Sequence, residues 1–361
     1  MENFLKVTST LKEGVLKNKA YTLKPIDCPI KLNQNESPFD IPLYLKEKIL
    51  QKLKNTKWNI YPEFVPDDLY TKIANYFNLS KTNILVGNGS NEMIFTILAA
   101  SAEKTKKVVI PTPTFTVYNL ISSNLNATIK YVPLNEDFTF NVPAIIEESK
   151  TSGSITVLCS PNNPTGTYLT FNEIEKIISS SGGIVIVDEA YIHFGGETVL
   201  DLIPKYNNLI ILRTFSKAFG LAGLRIGFMI SNKDLITELS KVKLPYNLNI
   251  FTLITLSEIF DNLSLVEENI KTILSEKKFL ASELSKFKDL KVIPSEANFF
   301  LIKFFDSNFV FAKLVEDGIL IRDYNSYPML ENCLRVSVGS RKENEAFINS
   351  LKKIFKYGEK L

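Results

Sequence analysis

Between about residue 80 and residue 230 the chain alternates short, continuously apolar β-like runs with amphipathic helical patterns. The runs are Lys107–Ile110, Ile129–Pro133, Ile155–Cys159, Ile184–Val187, Leu209–Arg213 and Arg225–Ile230. Strands apolar on both faces and separated by helices predict a mainly parallel sheet covered on both sides. A helix over 170–181 is predicted with Thr170 and Glu173 as a capping box. Earlier, Asp40 is expected to cap an amphipathic helix whose apolar residues are Leu45, Ile49, Leu50 and Leu53, and a second helix follows Asp67 and Asp68 with Leu69, Ile73 and Phe77 on one face. After Pro245 the pattern changes to one long helical stretch (247–286), strands near 290–294, 298–304, 319–323 and Leu334–Val338, and a helix capped by Ser340 with Glu343. The expected organisation is therefore an N-terminal arm (1–31), a large α/β domain (32–245) and a smaller α+β C-terminal domain (246–361).

Several functions are disfavoured at once. Forty-two basic residues against 39 acidic ones leave a net charge of only +3 over 361 residues, with no basic block suited to nucleic acid. The longest apolar runs fall far short of the ~20 residues that span a bilayer. The N-terminus lacks a signal-like apolar segment, so a cytoplasmic location is expected. Three scattered cysteines and the single His193 argue against a metal site and a Ser-His-Asp machine, and His193 is expected to be a partly exposed loop residue. Only five of the basic residues are arginine (Arg213, Arg225, Arg322, Arg335, Arg341). Because the planar guanidinium grips phosphate and carboxylate with two parallel hydrogen bonds, these few positions are candidate anion sites.

In an open parallel sheet, ligands bind beyond the carboxyl ends of the strands. Val86-Gly87-Asn88-Gly89-Ser90-Asn91-Glu92 is a turn opening a helix, whose free N–H groups suit a phosphate; a plain tight turn has the same appearance. Ser160-Pro161-Asn162-Asn163-Pro164-Thr165-Gly166 is a rigid turn that sets Asn163 at a strand end. The run Ile184–Val187 ends in Asp188-Glu189-Ala190-Tyr191, which resembles a Walker B strand. The NTPase reading fails, because no Gly-Lys dipeptide occurs anywhere in the chain. The most specific segment runs from Arg213 to Gly227 and packs small residues around Lys217. A lysine so placed, with Arg225 near it to lower its pKa, is able to lose its proton, as Schiff-base chemistry requires.

Taken in order, Leu32–Pro38, Tyr61-Pro62-Glu63, Gly87–Glu92, Pro113–Tyr118, Pro161–Gly166, Asp188–Tyr191, Ser216–Gly227, Asn298-Phe299 and Leu334–Gly339 resemble the fold-type I pyridoxal-phosphate (PLP) aminotransferases of the aspartate aminotransferase superfamily. Within it the chain is most similar to the histidinol-phosphate aminotransferase branch. The resemblance implies the fold-type I PLP-dependent transferase fold and PLP as cofactor. It implies that Lys217 holds the cofactor covalently and moves the substrate proton, that Asp188 pairs with the ring nitrogen, and that Asn163 and Tyr191 hydrogen-bond its phenolic oxygen. Tyr118 is implied to stack on the ring, while Ser90, Asn91, Ser216 and Arg225 hold the phosphate. Tyr61 is implied to reach the phosphate of a neighbouring subunit, hence a homodimer. Arg335 is implied to grip the α-carboxylate of the amino donor, and Arg322, Tyr21 and Asn35 to contact substrate. Arg213 receives no role.

The implied reaction exchanges the amino group between L-histidinol phosphate and 2-oxoglutarate/glutamate, a step of histidine biosynthesis. Threonine-phosphate decarboxylation and aromatic amino-acid transamination are related alternatives. A non-catalytic PLP-domain regulator is a different one, disfavoured because the motifs begin by Leu32 and Lys217 is intact. Two departures bear on subgroup: Asn35-Glu36-Ser37-Pro38 replaces the usual Asn-Glu-Asn-Pro, and Asn91 stands where Asp is frequent.

Overall fold

A computed structural model describes residues 7–20, 22 and 25–358, with side chains to residue 355. The first strand, β1 (Ile30–Lys31), is short. It is followed by β2 (Ile84–Gly87), β3 (Lys107–Thr112), β4 (Thr128–Pro133), β5 (Ile155–Cys159), β6 (Ile184–Asp188), β7 (Leu209–Thr214) and β8 (Gly227–Ile230). These last seven form one sheet in the order β2-β8-β7-β6-β5-β3-β4. Its β3, β4, β5, β6 and β7 are mutually parallel, and β8 runs antiparallel to both β7 and β2.

The apolar runs explain this layout. Side chains alternate across a strand, so Val185 and Val187 join one buried cluster while Ile186 joins the other. Both faces need cover, and helices including Ser90–Ser101, Thr116–Asn124, Val142–Ser149 and Phe171–Ser180 supply it. The last of these carries the expected capping box between Thr170 and Glu173. The α/β architecture with a mainly parallel mixed sheet is as the sequence predicts.

Toward the C-terminus lie β9 (Lys291–Val292), β10 (Phe299–Lys303), β11 (Ile319–Leu320), β12 (Arg322–Asp323) and β13 (Cys333–Ser337). A four-stranded sheet is ordered β12-β13-β10-β9, and β11 pairs in parallel with β1. This pairing ties the segment after residue 30 to the strand that precedes Arg322.

Four local expectations need correction. The strand β2 was hidden in what reads as a turn, because its four residues end directly in the Gly-Asn-Gly corner. The stretch 247–286 is two helices, Ile250–Phe260 and Leu263–Leu284, broken at Asp261-Asn262. Asp40 does not cap the helix Leu43–Lys54; that helix begins after Pro42, and Asp40 accepts from the N–H of Ile41. The N-terminal arm holds a helix, Glu13–Lys17, whose Gly14 lies so close to Ser123 that an added Cβ would sit 1.6 Å from the Ser123 carbonyl oxygen.

Candidate active site

The strands β5, β6 and β7 end at Cys159, Asp188 and Thr214, and beyond those ends opens a cavity of about 390 Å³. Lys217, Asp188, Tyr191, Ser90, Asn91, Tyr118, Asn163, Ser216, Arg225, Asn35, Arg322 and Arg335 all line it. Residues as far apart in sequence as 35 and 335 thus meet around one space.

Asp188 forms the floor. Its Oδ1 accepts from the N–H of Ala190 at 3.0 Å, and its Oδ2 accepts from the Tyr118 hydroxyl at 2.7 Å. Burial disfavours the carboxylate and raises its pKa to about 6, against the pull of these two hydrogen bonds. Tyr118 therefore does not fit the stacking role expected of it. Its ring has no exposure, and its hydroxyl is committed to Asp188. Phe115, set edge-to-face against Tyr118 with centroids 5.6 Å apart, is a half-buried aromatic ring on the cavity wall.

Lys217 follows β7 and reaches back to the N-terminal segment, donating from Nζ to the Gln34 carbonyl at 2.8 Å. Its pKa is lowered to about 8, first by desolvation and then by the positive charges of Arg335 and Arg225, with Glu36 opposing. Burial outweighs the neighbouring cations here, and Arg335 contributes more than the Arg225 that the sequence suggested.

One end of the cavity is built for an anion. The helix Ser90–Ser101 begins there; the Glu92 N–H is taken by the Gly89 carbonyl at 3.1 Å, and the N–H groups of Ser90 and Asn91 come before the first intrahelical acceptor. Gly89 takes a φ of +89°, and a Cβ on it would lie 2.8 Å from Nη2 of Arg225. Only glycine permits that approach at that φ. Arg225 itself adopts the left-handed region, outside the strand in which the sequence placed it, and donates to the Ala222 carbonyl at 3.0 Å and to Ser216 Oγ at 3.4 Å.

The other end is a buried polar cluster. Asn35 Nδ2 donates to the Tyr191 hydroxyl at 3.0 Å, and Asn163 Nδ2 donates to it at 3.4 Å. Burial pushes the Tyr191 phenol well above its usual range, so this hydroxyl is a neutral donor. Arg335 donates from Nη1 to Asn163 Oδ1 and to the Tyr324 hydroxyl (3.0 Å), and from Nη2 to the Asn33 carbonyl (2.8 Å). Its Nε is buried without a partner. Arg322 sits half-buried directly across the β12–β13 pair from Arg335.

The five arginines divide in two. Arg213 is paired with buried Glu189 and bonded to Thr198, and Arg341 is paired with Glu276, so both are structural. Among the described residues Arg225, Arg322 and Arg335 form no ion pair, and all three line the cavity. Guanidiniums left without carboxylates around one space are available to anionic ligands.

Two expected residues are not brought in. Tyr61 is 76% exposed and stacks on Tyr246 with centroids 4.6 Å apart, away from this chain's own cavity. Tyr21 lies outside the described residues. His193 is half-buried and packs edge-on against Phe219, with its pKa lowered to about 4 by burial, which keeps it neutral. The sequence reading missed Gln34, Phe115 and Tyr324. The carbonyl of Gln34 leaves no signal in the sequence, whereas Tyr324, two residues after Arg322, was detectable as a same-face neighbour on an extended strand.

The cavity fits a phosphorylated pyridine aldehyde. An anion seat at a helix start beside Arg225, an amine of lowered pKa, and a buried carboxyl that a cationic ring nitrogen would stabilise match its three reactive features. Among the described residues no group of His, Cys, Asp and Glu is arranged to hold a metal ion, and no helix is long and apolar enough to cross a membrane.

Known proteins resemble this chain in sequence and in fold. The histidinol-phosphate aminotransferase of Chlorobaculum tepidum is 41% identical over 330 residues, covering 91% of this chain and 95% of that protein. That of Thermoanaerobacter pseudethanolicus is 38% identical over 349 residues, covering 96% and 99%. A crystal structure of histidinol-phosphate aminotransferase from Sinorhizobium meliloti in complex with pyridoxal-5'-phosphate shares the fold with a TM-score of 0.85, over 97% of this chain and 98% of that one at 20% identity. The family model described as aminotransferase class I and II matches residues 28–351. By that match and those identities, the chain belongs to the class I and II aminotransferases.

Proposed function

We propose that this chain is a PLP-dependent transaminase that exchanges the amino group between L-histidinol phosphate and 2-oxoglutarate/glutamate. The observation that carries the reading is a single cavity in which Lys217 and Asp188 stand together and three arginines remain free of carboxylates. The names of the curated relatives support the substrate.

PLP supplies an electron sink for the pair left behind when the substrate Cα–H bond breaks. The protein does the rest. Lys217 holds the cofactor and carries the proton to and from the substrate carbon, a role its lowered pKa suits and which contributes roughly 10²–10⁴-fold. Asp188, oriented by Tyr118 and the Ala190 N–H, keeps a proton on the ring nitrogen. Asn163 and Tyr191 would hold the cofactor's phenolic oxygen, and Phe115 would lie against its ring. Ser90, Asn91, Ser216 and Arg225 hold the cofactor phosphate. Arg335 takes the α-carboxylate of glutamate, and Arg322 the phosphate of histidinol phosphate, with Asn35 beside the substrate.

The unit 32–245 then supplies the cofactor machinery and the unit 246–361 supplies both substrate arginines, with 1–31 as an arm. Exposed Tyr61 reaches the cofactor phosphate of a second copy, so the working form is a homodimer, located in the cytoplasm. Incubating the PLP-loaded protein with histidinol phosphate and 2-oxoglutarate tests the reading: glutamate should form, and its absence overturns it. Release of CO₂ from threonine phosphate alone, or preference for aromatic amino acids, would assign one of the related activities instead.

A further inference from the structure

Arg322 and Arg335 stand opposite each other on the antiparallel pair β12–β13, where like charges repel. Neither forms an ion pair among the described residues, yet both face one cavity. The ring of Tyr324 touches both: the guanidinium carbon of Arg322 lies 5.9 Å from its centroid, and that of Arg335 lies 5.4 Å from it. Both are within the range at which a ring face attracts a cation. Phe299 adds a second ring to Arg335 at 5.1 Å.

The hydroxyl of Tyr324 acts on only one of the two arginines. It accepts from Nη1 of Arg335 at 3.0 Å and lies 3.4 Å from Asn163 Oδ1, to which it donates. The Tyr324 backbone N–H is held by the Cys333 carbonyl at 3.1 Å, which fixes where the ring can stand. With Nη1 engaged by Tyr324 and Asn163, and Nη2 by Asn33, the buried Nε of Arg335 is left without a partner, and the second N–H of Nη2 is not used by Asn33.

We propose that Tyr324 is a positioning residue that lets one cavity take two kinds of anion: its hydroxyl holds Arg335 for a carboxylate substrate, and its ring supports Arg335 and Arg322 together for a phosphate monoester. This rests on the transaminase reading above, and it names the residue that separates the two substrate classes. The ring offsets the repulsion without supplying a carboxylate, which would neutralise the arginines. The hydroxyl holds Nη1 in place, so that the rest of the Arg335 guanidinium stays aimed at the cavity.

The test uses the cofactor-loaded protein and two unreactive probes, succinate for the dicarboxylate and inorganic phosphate for the monoester. Tyr324→Phe keeps the ring and should weaken succinate about tenfold while phosphate stays within about twofold, since a buried donor loses its acceptor only on Arg335. In the same variant the KM for glutamate should rise by more than kcat changes, the split expected of a residue that positions Arg335. Tyr324→Leu removes the ring and should weaken both probes. If Tyr324→Phe binds succinate as wild type does, or loses succinate and phosphate equally, the proposal is overturned. Should Tyr324→Leu fail to fold, the Phe variant still decides. Failure of the unaltered protein to use histidinol phosphate sinks the substrate assignment instead, and the succinate comparison continues to judge Tyr324.

Discussion

The hydroxyl of Tyr118 donates to Oδ2 of Asp188 across 2.7 Å, although the two residues lie 70 positions apart. The bond sets the direction of the carboxylate at the cavity floor and opposes the burial that raises its pKa to about 6. Tyr118→Phe should therefore loosen PLP binding about tenfold or more, because a hydrogen bond to a charged group is worth ~1.5–3 kcal/mol. Equilibrium dialysis of the variant against the unaltered protein measures this.

Asp188 also predicts a pH dependence of the cofactor-free protein. Its pKa is raised above the unfolded value, so its contribution favours the folded state below about pH 4 and is lost as pH rises through about 6. The loss is on the order of 3 kcal/mol. Urea unfolding across this window should show that fall in the unaltered chain and a flatter profile in Asp188→Asn. Equal slopes in the two would contradict the assignment.

Lys217 reacts only when unprotonated, and its pKa stands at about 8. Covalent attachment of PLP should thus accelerate as pH rises through about 8. Glu36 opposes that lowering, so Glu36→Gln should move the midpoint further down. Stopped-flow absorbance against pH reads both. Lys217→Ala should abolish borohydride-trappable cofactor while the fold persists.

Arg213 and Glu189 form a buried pair beside Asp188, with Glu189 also accepting from Thr198 and the Val199 N–H. Arg213→Met leaves a buried carboxylate without its cation and should cost about 3–5 kcal/mol. Adding Glu189→Gln should recover part of the loss. Chemical denaturation of the single and double variants provides the comparison.

Tyr61 lies open to solvent, stacked on Tyr246, which Phe64 meets edge-on. If it serves the site of a second copy, Lys217→Ala and Tyr61→Ala chains should each be impaired alone. Mixed and refolded together, they should regain activity, since a hybrid dimer then holds one intact site. Lack of any recovery in verified hybrids counts against the shared site.

The sequence by itself determined six of the seven strands of the large sheet and the addresses of most site residues. Continuous apolar runs leave a strand no choice but burial on both faces, and the motifs after Cys159, Val187 and Arg213 sit at strand ends because chain adjacency alone puts them there. Only the tertiary structure decided partners. That Tyr118 serves Asp188, that the Gln34 carbonyl meets Lys217, and that Arg213 is absorbed by Glu189 while Arg335 is left for a ligand follow from strand order and cross-strand register. Those are set by the packing of the whole core. A side chain's hydrogen-bond partner therefore depends on which strands become neighbours, and this is information that no local window of sequence contains.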